Sequence, residues 1–201
     1  MATITKTQGT GILAHSLVTH PASVIGDAQA VTTKLSATIT LFHASIEATA
    51  NTNPGRFFVQ ISPSSSGDED WATVAEFTAT TTAAVTEALT ATEPAAETVL
   101  AVASTAGFAA LDGLYVVDAG TLADSEWGKC KEIVTNTSID LVDGLTTGKD
   151  SSDAVWNQAE VFVCQLDLTS VGRLRVIFLH EGAAGADCHV KGMMATGDSI
   201  G

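Results

Sequence analysis

The strongest constraint on this chain is the strict alternation of apolar and polar side chains in its longest patterned stretches. Between Val31 and Glu47, Leu35, Ala37, Ile39 and Leu41 fall on one side, while Ser36, Thr38 and Thr40 fall on the other. A period of two belongs to a strand with one buried face and is incompatible with an amphipathic helix. Phe57, Val59 and Ile61 repeat the pattern, and the run Trp71 to Phe77 after a polar loop predicts the returning strand of a hairpin. Near the C-terminus, residues 159–168, 173–180 and 187–196 predict three more strands. Leu174, Val176 and Phe178 share one face of the middle strand, and the turn Gly182-Ala183-Ala184-Gly185 predicts that the last two strands form a hairpin. Composition argues the same way. Charged residues are 16 % and aromatics 5 % of the chain, too few charges for the polar faces of surface helices. The abundant Val and Thr are stiff at χ1, which costs little on a pleated surface.

Between Pro94 and Trp156 the apolar runs become short and the turn signals frequent: Asp112-Gly113, Asp118-Ala119-Gly120 and Asp143-Gly144 separate candidate strands. This spacing predicts a small antiparallel barrel or meander. The expected architecture is therefore all-β: a discontinuous antiparallel β-sandwich, immunoglobulin-like or jelly-roll-like, with a small β-unit inserted. The sandwich is assigned residues 31–92 plus 157–201, and the inserted unit residues 93–156. Residues 1–30 show no clean period and are read as an extended N-terminal arm with room for one short strand. Its apolar clusters are Ile12-Leu13 and Leu17-Val18.

The chain of 201 residues carries 9 Lys and Arg against 23 Asp and Glu, a formal charge of −14. No stretch supplies the basic stripe that nucleic acid requires, and anionic membranes are disfavoured for the same reason. No run of apolar residues is long enough to span a bilayer, and the N-terminal one is too short and interrupted for a signal peptide. Cys130, Cys164 and Cys188 are odd in number and lie in apolar runs, which suits buried thiols in a reducing cytoplasm rather than a disulfide framework.

Several fragments imitate catalytic or binding motifs. Gly197-Asp198-Ser199-Ile200 has the letters of an esterase nucleophile block but no following helix. The segment Gly144 to Asp150 is similar to a phosphate loop, yet it is one residue short between its glycines, and Asp150 occupies the Ser/Thr position. It reads as a polar turn. His15, His20, His180, Glu181, Cys188 and His189 do not form a metal-ligand spacing, because neighbours in a strand face opposite ways. Asp118, Asp124 and Glu126 do not match a calcium loop. No enzyme activity, cofactor or metal is expected. Trp71, Trp127 and Trp156 are expected to plug the ends of β cores, with sugar stacking or an interface anchor as the alternative, Trp71 and Trp127 for a sugar and Trp127 for a partner.

The phrase Ala103-Ser104-Thr105-Ala106-Gly107-Phe108 followed by Gly113-Leu114-Tyr115-Val116-Val117-Asp118 resembles strand-turn-strand phrases in virion structural proteins of tailed bacteriophages. Residues 125–129 and 139–145 look like its continuation. The run Leu174 to Phe178 and on to Met193 is similar to the closing strands of immunoglobulin-like phage domains, so the resemblance spans roughly residues 31–196. It implies a virion structural role, and within that class a capsid decoration (cement) protein, with tail-tube or neck protein as the alternative. The implied partners are copies of the chain itself and a major capsid protein or other virion protein, met at Ile12, Leu13, Leu17, Val18 and Trp127. The implied location is the virion, assembled in the bacterial cytoplasm. A carbohydrate-binding module is the alternative from another class.

Overall fold

The computed structural model describes residues 6–19, 21–50, 53–67, 70–181 and 187–198, and over them the chain is all-β with antiparallel pairing throughout. A four-stranded sheet runs in the spatial order β1 (Lys6–Val18), β15 (Cys188–Asp198), β4 (Lys34–Ser45) and β13 (Ala159–Asp167). A five-stranded sheet holds β2 (Ser23–Ile25), β14 (Arg173–His180), β5 (Gly55–Ser62) and β6 (Ala72–Thr78), with β3 (Gln29–Ala30) also pairing β14. The alternation seen in the sequence puts Ile39, Leu41, Phe57, Val59, Leu174 and Phe178 between these two sheets, each fully buried. Burying each such side chain is worth about 1.5–3 kcal/mol over leaving it in water. The chain is a β-sandwich.

Two sequence expectations differ from the structure. The first is the arm. Residues 6–18 form an edge strand of the sandwich, and Ile12, Leu13 and Val18 are each 1 % exposed within its core. The pairing of β1 with β15 shifts register between Thr7 and Thr10, between Gly11 and Leu13, and again between Leu13 and Ser16. Each shift inserts residues that spoil a period of two, so Ile12 and Leu13 are both buried although adjacent. Bulges hid this strand. Three of the four apolar residues expected to reach a neighbour are therefore used inside their own chain; Leu17 alone remains 48 % exposed.

The second difference is the last hairpin. β14 pairs with β2, β3 and β5, whereas β15 pairs with β1 and β4 in the opposite sheet. The Gly182 to Gly185 turn lies outside the described residues. Both strands offer one apolar face to the core, and that pattern is the same whether two strands lie side by side or face each other across a sandwich.

A six-stranded sheet holds β7 (Thr86–Ala88), β12 (Ala154–Trp156), β9 (Gly113–Val117), β10 (Glu126–Val134), β11 (Ser138–Leu141) and β8 (Val99–Ala101), in that order. It curls, so that Leu89 after β7 bridges Val102 after β8 and the Thr90 N–H donates to the Ala101 carbonyl at 2.9 Å. Inside the curl lies a separate core with Leu89, Leu100, Leu114, Cys130, Ile139 and Val155. The third sheet abuts the first where Gly113 meets Ala159. A Cβ at Gly113 would stand 1.8 Å from the Ala159 carbonyl oxygen, so only glycine fits there.

The two leucines of β1 provide a test. Leu13→Ala should lower the unfolding free energy by roughly 2–5 kcal/mol, because it opens a cavity between the sheets. Leu17→Ala should stay within about 0.5 kcal/mol. Chemical denaturation of both variants checks the assignment of β1 to the core.

Candidate functional site

The richest cluster of functional side chains lies where the outer face of the first sheet meets the third. His15 comes from β1, Phe42 from β4, His189 from β15, Tyr115 from β9 and Trp127 from β10. Ring centroids lie 4.6 Å apart for Tyr115 and Trp127, 4.8 Å for Tyr115 and His189, and 4.9 Å for His15 and Trp127. His15 Nε2 hydrogen-bonds the Tyr115 hydroxyl at 2.9 Å, and the Trp127 indole N–H donates to the His43 carbonyl at 3.1 Å. Such tilted aromatic contacts add about 0.5–1.5 kcal/mol each beyond the area they bury. Trp127, the expected partner anchor, thus joins two sheets of its own chain.

Burial governs the electrostatics of this seam. Desolvation, reinforced by the nearby Lys191 charge, lowers His15 from its ordinary 6.5 to about 4. Desolvation and then His15 lower His189 to about 4 as well. Burial pushes the Tyr115 hydroxyl well above its usual range. Both imidazoles are therefore neutral at pH 7, and among the described residues His15 Nδ1 and His189 Nδ1 are buried without a hydrogen-bond partner. All three cysteines are free thiols raised by burial, which removes them as thiolate nucleophiles.

Next to the seam, the phosphate-loop-like segment has an anion of its own. Glu126 on β10 projects into the turn formed by residues 144–149. Its Oε2 accepts from the Thr146 N–H at 2.7 Å and the Thr146 hydroxyl at 2.6 Å; its Oε1 accepts from the Thr147 N–H and hydroxyl, both at 3.0 Å. Lys149, whose side chain is 0 % exposed, donates to Oε1 at 2.8 Å. Burial alone would raise the Glu126 carboxyl, but the donors of Lys149, Thr146 and Thr147 outweigh it and bring it down to about 2. Lys149 and Glu93 also exchange main-chain hydrogen bonds at 2.7 and 2.8 Å, and the Glu93 carboxylate accepts from the Ala101 N–H at 2.9 Å. The loop fastens the third sheet shut.

Other sequence candidates are dispersed. Among the described residues no group of three or more His, Cys, Asp or Glu is placed to hold a metal. Glu181 makes a two-pronged contact with Arg56, at 2.6 and 3.1 Å. Asp118 caps its own turn, accepting from the N–H groups of Gly120 and Thr121. Trp71 stacks under Arg175 and Arg173, with guanidinium carbons 4.1 and 4.9 Å from the ring centroid. Trp156 packs against the small cluster of Ala44, Tyr115 and Ala159. Ser199 and His20 lie outside the described residues. No helix among the described residues is long and apolar enough to cross a membrane. The sequence raised His15 and His189 only as metal ligands. Their real setting was invisible because its rings come from five strands far apart in the chain.

The clamp should respond asymmetrically to mutation. Glu126→Ala leaves the Lys149 ammonium buried without its counter-charge and should cost about 3–5 kcal/mol. Lys149→Met leaves Glu126 with its hydroxyl and main-chain donors and should cost less; thermal melts of the two variants make the comparison. The seam predicts a pH dependence of known sign. His15 and His189 bind protons more readily unfolded than folded, so stability is complete above about pH 6.5 and falls as pH drops toward 4. The Glu126 contribution is lost only lower, as pH falls from 4.5 through about 2. A His189→Leu variant should flatten the slope of melting temperature between pH 6.5 and 4.

No family model matches the chain, and no curated protein matches it. Among solved structures, the SPBc2 prophage-derived protein YomS aligns over 97 % of this chain and 96 % of its own, at 9 % identity and TM-score 0.34. A structure of infectious bursal disease virus, Gt strain, aligns over 98 % of this chain and 42 % of its own, at 9 % identity and TM-score 0.26. VP17, a capsid protein of bacteriophage P23-77, aligns over 98 % of this chain and 100 % of its own, at 8 % identity and TM-score 0.17. None of these values reaches that of a shared fold, so the functional reading rests on the chain's own sequence and geometry.

Proposed function

We propose that this chain is a structural subunit of a tailed-bacteriophage particle, and within it a decoration protein on the head. The observation that carries the reading is where the chain spends its reactive groups. The buried imidazoles, the Glu126–Lys149 pair and the Trp127 indole all fasten one sheet to another or close a sheet on itself. What remains outside is an acidic surface on which Asp27, Asp70, Glu76, Glu132, Asp143, Asp150 and Asp167 are exposed. Such a surface selects a partner with basic patches and sets the speed of its docking. The strand-turn-strand phrases of residues 103–118 and 174–193 support the same class by their resemblance to phage virion proteins. The packing of Trp127 against His15, Phe42 and Tyr115 counts against a sugar-stacking role.

Mixing the purified chain with emptied heads of its own phage tests the reading. Co-sedimentation with heads, weakening as salt rises, is expected. Association with tails or necks alone would overturn the decoration assignment, and association with no part of the particle would overturn the virion role.

A further inference from the structure

The sandwich has four edges, and three are guarded. β1 is broken by register shifts, β2 and β3 are very short, and the pairing of β6 with β5 shifts between Val59 and Gln60. Short strands and bulges are the usual means of blocking unwanted strand pairing. β13 has none of them. It pairs with β4 from Ala159 to Asp167 without a shift, and it contains no Lys, Arg or Pro. Among the described residues no strand pairs with its outer edge. Its solvent face carries Val161 and Val163, 52 % and 57 % exposed. Beside its first residues runs a groove of about 280 Å³ lined by Leu111, Gly113, Gly128, Lys129, Ala159 and Val161. Leu111 is 70 % exposed and held at φ +75°, a strained placement for a leucine.

We propose that β13 is the edge through which a second copy of this chain docks, antiparallel about a two-fold axis at Val163. The inference rests on the subunit-assembly reading above and names its self-contact. The strand fits itself. Pairing about Val163 overlaps the whole strand, sets Val163 opposite Val163 and Phe162 opposite Cys164, and keeps each copy's core-facing residues on one side. The two acids fall opposite uncharged residues, Glu160 facing Leu166 and Asp167 facing Ala159. The same register brings the partner's Asp167 to the groove where Lys129 stands exposed, with no ion pair among the described residues. The two-fold repeats that ion pair. A chain of charge −14 would otherwise repel its copy, and this edge offers attraction where the copies meet.

Sedimentation velocity on the full chain tests the proposal. The wild type should sediment as a dimer or a larger even assembly, and Val163→Lys as a monomer with unchanged circular dichroism. Lys129→Glu and Asp167→Lys should each weaken association several-fold, and combining them should restore it. Val163→Cys should form a disulfide-linked dimer on oxidation, whereas Gln165→Cys, which the register sets opposite Val161, should not. A wild-type monomer throughout the micromolar range, or a dimer that survives Val163→Lys, overturns the strand pairing. A monomer that still binds heads overturns the pairing and leaves the virion role standing; a dimer indifferent to heads, necks and tails does the reverse.

Discussion

The rest of this fold depends on the insertion of β15 between β1 and β4. The last strand of the chain is an interior strand of the first sheet, and the first strand is its neighbour. The four-stranded face of the sandwich core is complete only when both β1 and β15 are in place, so the sandwich is built from contacts of long sequence separation, with their full loop-closure cost. The third sheet is different. Its strands lie between Thr86 and Trp156, and β9, β10 and β11 pair as successive neighbours across short connections. It is joined to the sandwich through Gly113 against Ala159 and through the aromatic seam, both at the roots of β4, β13 and β15.

That seam explains a pattern that a two-layer sandwich alone would not produce. Cys188, His189 and Val190 are consecutive and all buried, as are His43 and Ala44. Successive residues of a strand face opposite ways, so consecutive burial means that the sheet is covered on both faces. The inner cover is the five-stranded sheet and the outer cover is Tyr115 and Trp127. The loop after β11 applies the logic of an anion site to a structural end. Main-chain N–H groups, hydroxyls and one lysine converge on a negative charge, and the charge is Glu126 rather than a phosphate. Gly144 is held close to the Ala96 carbonyl, where a Cβ would stand 2.7 Å away, which keeps the turn tight beneath the carboxylate.

The parts of the architecture legible in the sequence were those with a clean period. β4, β5, β13 and β14 follow the alternation of Ala37, Ile39 and Leu41, of Phe57 and Val59, of Phe162, Cys164 and Leu166, and of Leu174, Val176 and Phe178. Of the third sheet, β8, β9, β10 and β11 were legible from their turns, whereas β12 was not and β7 fell within the segment assigned to the sandwich. β1 was not, because its bulges erase the period, and the partnership of β15 was not, because alternation records burial and not which strand lies alongside. The seam was least legible of all. Its rings are single residues at positions 15, 42, 115, 127 and 189, and only the folded topology brings them together.

The composition also determines what kind of contact such a chain has left for assembly. Interface hot spots are drawn mostly from Trp, Tyr and Arg. Here Trp71 lies under Arg173 and Arg175, Trp127 and Tyr115 are locked into the seam, Trp156 packs beside Tyr115, and Arg56 is engaged by Glu76 and Glu181. The chain has three tryptophans, one tyrosine and three arginines, and each has an internal task. Adhesion between subunits then falls to what a β protein has in surplus, the main-chain donors and acceptors of an open edge and the small apolar side chains beside them. These are weak singly and specific only in register, so they suit a subunit held by many repeated contacts on a symmetric surface rather than by one tight pair. An unguarded β13 beside three guarded edges is what that division of labour requires.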